Sequence, residues 1–202
     1  MLKKCIKIGL TGGIATGKSI VAGILKKQGA LVIEADTISR SVVQPGSAVL
    51  KQIKTAFGDG VICSDGTLNR KKLADTVFGN TAKRDLLNSI LHPLIIDTLI
   101  KKIEAFEASG QHHLIVADIP LLFECGLQNR FDIVLVITAD KETRINRIMK
   151  RDAVSRKQAE QRIEAQMPCS QKTRLADYVI DNSAARDELE QKTLETLYKI
   201  LK

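Results

Sequence analysis

The chain has 202 residues, of which 44% are hydrophobic, and this is enough to build the core of one medium-sized domain. It carries a net charge of +8, which attracts anionic partners such as nucleic acids, acidic membranes or phosphorylated small molecules. Because the basic residues are dispersed and aromatic residues make up only 3%, base stacking is disfavoured and small phosphorylated ligands are the expected partners.

The cysteines and the amino-terminal residues indicate a reduced compartment. The four cysteines are far apart and lack C-x-x-C spacing, which argues against disulfides and against a zinc site. Residues 1–8 do not form a convincing signal peptide, because Lys7 and Gly9 interrupt the apolar run, and no run approaches the ~20 residues that span a bilayer. We expect a cytoplasmic protein, either a monomer or a weak homo-oligomer, that binds no membrane and no nucleic acid.

A glycine-rich pattern near the amino terminus predicts a phosphate-binding loop. An apolar run, Cys5–Leu10, predicts a buried strand before it, and an amphipathic pattern over Ser19–Gln28 predicts a helix after it. Glycines allow a tight turn whose N–H groups face phosphate oxygens, while Lys18 would reach the β- and γ-phosphates and Ser19 would bind Mg²⁺. The pattern comprises Gly12, Gly13, Ile14, Ala15, Thr16, Gly17, Lys18 and Ser19.

A second apolar run, Ala30–Glu34, predicts another strand, and it is followed closely by Asp36. Side chains at the carboxyl ends of parallel strands line the ligand crevice of an open α/β sheet. Asp36 is therefore either a carboxylate that accepts a proton or holds the metal shell, or the N-cap of a helix over 37–43. Arg40, one turn later, faces either the same site or solvent.

The next sixty residues predict helices without clear strands, which indicates a helical insertion over 44–109 that carries a second substrate. His92 stands at a junction before Pro93 and either contacts substrate or packs and caps. The predicted helices are Ala48–Phe57, Arg70–Phe78, Ala82–Leu91 and Pro93–Ala108.

Two further apolar runs, His113–Asp118 and Ile133–Thr138, predict strands of a parallel sheet covered on both faces. The first has the form of a Walker-B strand, so Asp118 either helps to hold Mg²⁺ through water or simply ends the strand. A helix over Ser155–Gln166, a strand over Tyr178–Asp181 and a closing helix over Arg186–Leu201 follow.

Three arginines, Arg144, Arg147 and Arg151, have spacings that place them on one helical face. Such a stripe suits a mobile lid that neutralises transferring phosphates, and it equally suits a solvated basic face.

Taken together, the motifs resemble the dephospho-CoA kinase family over nearly the whole chain. The resemblance rests on Thr11–Ser19, Glu34-Ala-Asp36 with Arg40, Leu91-His-Pro93, Asp118-Ile-Pro-Leu-Leu-Phe-Glu124, Arg147–Asp152 and Ala176–Asn182. It implies a three-layer α/β/α P-loop kinase with a five-stranded parallel sheet. It also implies a nucleotide-binding core over 1–43 and 110–202, a CoA-binding insertion over 44–109 and a lid over 141–168.

The resemblance implies phosphorylation of the ribose 3′-hydroxyl of dephospho-CoA by ATP with Mg²⁺. Asp36 would be the general base, Lys18 and Arg147 would be catalytic, Asn182 would lie near adenine, and Ser19 and Asp118 would hold the metal. The substrate-binding residues would be Thr11, Asp36, Arg40, His92, Pro120 and Leu121. Ala15 and Glu34 depart from the family pattern, in which glycine and aspartate are common, and this leaves their fine positioning open.

Three rival functions differ in what they would bind. Another small-molecule P-loop kinase, such as a nucleoside monophosphate kinase, would differ only in its acceptor. A GTP-dependent switch is disfavoured because the guanine motif Asn-Lys-x-Asp is absent from the sequence. A basic nucleic-acid-binding module would show salt-sensitive binding without ADP production.

Overall fold

The computed structural model describes residues 5–77, 79–183 and 186–202, and the chain divides into two compact units. The first unit comprises Met1–Glu34 and Phe106–Lys202, and the second comprises Ala35–Ala105. Among the described residues, no helix combines the length and the apolar character that crossing a membrane requires.

The first unit is built on a parallel sheet of five strands in the order β2-β3-β1-β4-β5. The predicted five-stranded parallel sheet is therefore confirmed. The strands are β1 (Ile6–Gly12), β2 (Leu31–Glu34), β3 (Leu114–Asp118), β4 (Ile133–Thr138) and β5 (Tyr178–Asp181).

The strands of the centre are buried because their side chains meet packed elements on both faces. Ile8 and Leu10 are fully buried in a core shared with α1 (Lys18–Lys27) and α9 (Arg186–Leu201). Gly9 points to the opposite face, as the two-residue period of a strand requires, and a Cβ there would lie 2.6 Å from Leu122 and 2.8 Å from Phe131. The middle of β1 therefore has no room for a side chain on that face.

Three more helices of the first unit follow β4. They are α6 (Lys141–Asp152), α7 (Arg156–Glu164) and α8 (Cys169–Arg174). Asp140 caps α6 by accepting from the N–H of Thr143 at 2.8 Å, and Ser155 caps α7 in a capping box with Gln158. The sequence predicted α7 three residues too long, one at its start and two at its end, and did not predict α8.

The second unit is helical and has its own apolar core. Val43, Val49, Ile53, Val61 and Leu73 are buried in it. Its helices are α2 (Ala35–Ser41), α3 (Ala48–Phe57), α4 (Arg70–Val77) and the first part of α5 (Thr81–Ser109), and an antiparallel bridge joins Ile62 to Leu68.

Helix boundaries in this unit correct two predictions and leave one outside the structure. The two helices expected on either side of Pro93 are one continuous helix, α5, because a proline removes only one helical hydrogen bond and the neighbouring turns remain packed. Asp36 lies in the first turn of α2 rather than at an N-cap before residue 37. The predicted end of α4 at Phe78 lies outside the described residues.

Candidate active site

The glycine-rich loop joins β1 to α1, and its N–H groups differ in their hydrogen bonding. The N–H groups of Ala15, Gly17 and Ser19 have no hydrogen-bond acceptor in the described part of the chain. The N–H of Thr16, in contrast, donates to the carbonyl of Gly13 at 3.3 Å, and so does the Thr16 hydroxyl at 2.9 Å. Three N–H groups at and before the amino end of a helix form a site for an anion.

The carbonyl oxygens of the loop are held from outside by side chains that are distant in sequence. Arg144 Nε donates to the carbonyl of Ile14 at 2.9 Å, and an Arg147 guanidinium N–H donates to that of Ala15 at 3.3 Å. Asn182 Nδ2 donates to the carbonyl of Thr16 at 2.8 Å. The carbonyls of Ile14 and Thr16 belong to the peptides that carry the N–H groups of Ala15 and Gly17, so these two peptides are fixed while their N–H groups stay available to a ligand.

Arg144 and Arg147 therefore do not form a solvated basic face. Arg144 is 5% exposed, and it also donates to Cys169 Sγ at 3.1 Å. Arg147 bridges the loop to the residue that follows β5, since it donates at 2.9 Å to the carbonyl of Asn182. Arg151 is exposed and pairs with Asp152. The stripe thus divides between two side chains that touch the loop and one that touches its own helix.

The carboxyl ends of β2 and β3 bring carboxylates beside this loop. Lys18 forms an ion pair with Asp118, which is 7% exposed. Glu34 is the register partner of Asp118 on the neighbouring strand. The Lys18 side chain thus lies at the strand end next to β1, where the Walker-B interpretation of Asp118 expects it.

The oxygen atoms around Ser19 and Asp118 fit Mg²⁺ only with help from a ligand. A hydroxyl and a carboxylate are hard oxygen donors that suit this ion. The described residues contain no group of three or more His, Cys, Asp or Glu that could hold a metal by themselves. This arrangement is typical of Mg²⁺ that is shared between a protein and the phosphates of a bound nucleotide.

The segment after β3 is joined to the start of the loop. The Thr11 hydroxyl, which is fully buried, donates to the carbonyl of Pro120 at 3.2 Å. Lys172 of α8 is also fully buried and donates to the same carbonyl at 2.9 Å. Thr11 and Pro120, two residues expected at the site, are therefore in contact, while Leu121 follows in the same segment and is partly buried.

The expected acceptor residues Asp36, Arg40 and His92 all belong to the second unit. Asp36 and Arg40 are exposed, whereas His92 is partly buried, and this burial lowers the pKa of its imidazole. The same unit contains a pocket of about 230 Å³ with mostly apolar walls, among which Arg70 and Ser39 supply the polar groups.

Sequence reasoning missed three side chains that support the loop. Gln166 accepts from the N–H of Ile14 at 2.8 Å, and Glu124 forms an ion pair with Lys172 at 2.9 Å. A sequence feature could have pointed to Glu124, because it ends the distinctive Pro-Leu-Leu-Phe-Glu segment. No sequence feature pointed to Gln166 or Lys172, since each is a polar residue in a stretch whose pattern is polar and helical.

A glycine loop between strand and helix, whose lysine pairs with a carboxylate on the adjacent strand, defines the chain as a P-loop phosphotransferase fold. The family model described as dephospho-CoA kinase matches residues 6–188. The chain belongs to the dephospho-CoA kinase family, and it is a kinase.

Individual relatives agree with this assignment. A dephospho-CoA kinase of Shouchella clausii is 41% identical over 194 residues, which are 96% of this chain and 98% of that one. A crystal structure of a Thermus thermophilus protein has a TM-score of 0.83 at 30% identity and covers 99% of this chain and all of its own. Dephospho-CoA kinase from Campylobacter jejuni has a TM-score of 0.65 at 25% identity, with 98% of each chain covered.

Proposed function

We propose that this kinase transfers the γ-phosphoryl group of ATP directly to the ribose 3′-hydroxyl of dephospho-CoA, and that its two units divide the binding of the two substrates. The first unit would bind ATP through the N–H groups of Ala15, Gly17 and Ser19. The observation that carries this proposal is the hydrogen bonding of the loop, because side chains distant in sequence hold three of its carbonyls while these three N–H groups have no acceptor among the described residues.

Lys18 would offset negative charge on the β- and γ-phosphates. Its ammonium already lies beside Asp118, so on nucleotide binding it would exchange part of that ion pair for phosphate oxygens. Arg147 would act on the nucleotide through the loop carbonyl it holds and would share in charge neutralisation when α6 and α7 form the proposed lid over 141–168.

Mg²⁺, when bound, would neutralise charge on the phosphate oxygens. Ser19 and Asp118 would hold it from the protein side. Asn182 would lie close to the adenine in this proposal, with its side-chain amide fixed by the carbonyl of Thr16.

The second unit would bind the acceptor. Asp36 would accept the proton of the 3′-hydroxyl, and its place supports this, since it follows β2 by two residues and its side chain is exposed. Arg40 would contact a phosphate of the acceptor. His92, whose pKa is lowered by burial, would be neutral at pH 7 and so would contribute a hydrogen bond rather than a charge.

An acceptor panel tests the proposal against its nearest rival. The purified chain is given MgATP with dephospho-CoA, with AMP, CMP, UMP or GMP, or with shikimate, and ADP release is followed. We expect fast ADP release only when dephospho-CoA is the acceptor. Faster release with a nucleoside monophosphate would show that the chain phosphorylates another acceptor.

A further inference from the structure

One peptide group of the glycine-rich loop is held at both ends. The peptide between Gly13 and Ile14 donates its N–H to Gln166 Oε1 at 2.8 Å, and its carbonyl accepts from the Thr16 hydroxyl at 2.9 Å. It therefore differs from the following peptide, whose carbonyl is held by Arg144 but whose N–H, that of Ala15, has no acceptor in the described chain. Gln166 thus accepts from an N–H group of the loop, whereas Arg144, Arg147 and Asn182 donate to its carbonyls.

The first residue of this peptide, Gly13, is crowded by two neighbouring side chains. A Cβ on Gly13 would lie 2.7 Å from an Arg144 guanidinium nitrogen and 2.9 Å from Cys169 Sγ. Glycine has the widest choice of backbone conformations, so the peptide after it rotates easily unless other groups hold it. The loop therefore has a glycine at a crowded position, and the peptide after it needs an external constraint.

Gln166 is itself anchored on a rigid part of the first unit. The next residue, Met167, donates its N–H to Glu124 at 3.2 Å, and Glu124 pairs with the fully buried Lys172. Lys172 in turn holds the carbonyl of Pro120. A buried ammonium holds its carboxylate partner in place, because losing that partner would leave a buried charge without compensation.

We propose that Gln166 is a positioning residue for the phosphate cradle. Its side-chain carbonyl oxygen fixes the Gly13–Ile14 peptide, so that the next N–H group, that of Ala15, points to the place of the nucleotide's polyphosphate. Gln166 does not touch the reacting atoms in this account. The proposal rests on the proposed binding of ATP by the loop, and it does not depend on which acceptor the kinase uses.

The test replaces Gln166 by methionine, which has a similar shape but no acceptor oxygen. Gln161→Met is the matched control, because Gln161 is an exposed glutamine of α7 with no hydrogen bond to the loop. ATP binding is measured directly by calorimetry without acceptor. We expect the Kd for ATP to rise about fivefold to tenfold in Gln166→Met, as loss of one well-placed hydrogen bond does, and to stay unchanged in Gln161→Met.

Kinetics separate positioning from general damage. In Gln166→Met the KM for ATP should rise with the Kd, while the KM for dephospho-CoA and the turnover at saturating ATP should stay close to those of the unchanged chain. Gln166→Glu keeps an acceptor oxygen and should retain the slow hydrogen exchange of the Ile14 amide that Gln166→Met loses. Unchanged ATP affinity together with unchanged Ile14 exchange in Gln166→Met would overturn the proposal.

Amide hydrogen exchange in the unchanged protein tests the proposal without any variant. In the nucleotide-free chain, the Ile14 amide should exchange with solvent more slowly than the Ala15 amide, because only the former has an acceptor among the described groups. Equal exchange of the two amides would refute the role of Gln166 even if a variant failed to fold. A chain that does not bind ATP at all would instead contradict the proposed function.

Discussion

Substituting Gly17 by alanine should destabilise the protein in two separable ways. Gly17 has φ of +91°, where a side chain costs roughly 1–2 kcal/mol. An added Cβ would also meet Asn182 Nδ2, which donates to the carbonyl of Thr16. Displacing that amide leaves a buried acceptor without its donor, which costs about 1–3 kcal/mol more. We expect a total loss of about 2–5 kcal/mol in the free energy of unfolding.

Gly29 provides a matched control for the backbone part of this cost. It has φ of +89°, but an added Cβ there would have no atom within 4 Å. Gly29→Ala should therefore lose only roughly 1–2 kcal/mol, and both variants share the small gain from a stiffer unfolded chain. In a domain of this size 1 kcal/mol corresponds to about 2–4 °C in Tm, so Gly17→Ala should melt about 2–12 °C below Gly29→Ala.

Urea unfolding of the two variants, with and without Asn182→Ala, measures the two contributions. In the Asn182→Ala background the amide is gone, so the added cost of Gly17→Ala should fall to that of Gly29→Ala. Calorimetry should show that Gly17→Ala binds ATP more weakly than the unchanged chain, whereas Gly29→Ala binds it with unchanged affinity. Equal destabilisation by the two alanines, or a cost of Gly17→Ala that Asn182→Ala does not reduce, would refute the described contact between Asn182 and the loop.

Three further predictions concern the proposed reaction. Lys18→Ala should lower turnover about 10²–10³-fold, as the loss of one such electrostatic contact does, and near-normal turnover in a steady-state assay would contradict its role. Asp36→Asn should leave ATP binding intact by calorimetry while abolishing phosphate transfer; retained transfer would show that another group accepts the proton. Ser19→Ala should raise the Mg²⁺ concentration that gives half-maximal activity, whereas the exposed control Ser64→Ala should not, and an unchanged Mg²⁺ dependence would remove Ser19 from the metal site.

The sheet and the glycine-rich loop could be predicted because their signals are local. Each strand is a short apolar run rich in β-branched residues, and the loop has glycines and Lys-Ser at fixed spacing next to a strand and a helix. The register and the order of the strands could not be predicted from local signals, since β1 pairs with β3, which begins about a hundred residues later. The continuous helix through Pro93 was also missed, because packing of its neighbours outweighs the local preference for a break.

The roles of the arginines could not be predicted for a related reason. Periodicity places Arg144 and Arg147 on one helical face, but it does not reveal what lies opposite that face. Their partners are backbone carbonyls of Ile14 and Ala15, about 130 positions away, and backbone groups leave no mark in a residue pattern. The same holds for Gln166, whose partner is a single N–H group.

The central claim is that three backbone N–H groups of the loop receive the polyphosphate of ATP. Nuclear magnetic resonance of the amide groups, during titration with Mg²⁺ and a non-hydrolysable ATP analogue, tests it most directly. The account predicts that the amide signals of Ala15, Gly17 and Ser19 shift most strongly within the loop, while the Ile14 amide, held by Gln166, shifts less. Saturation of the protein with nucleotide while these three signals stay in place would contradict the account.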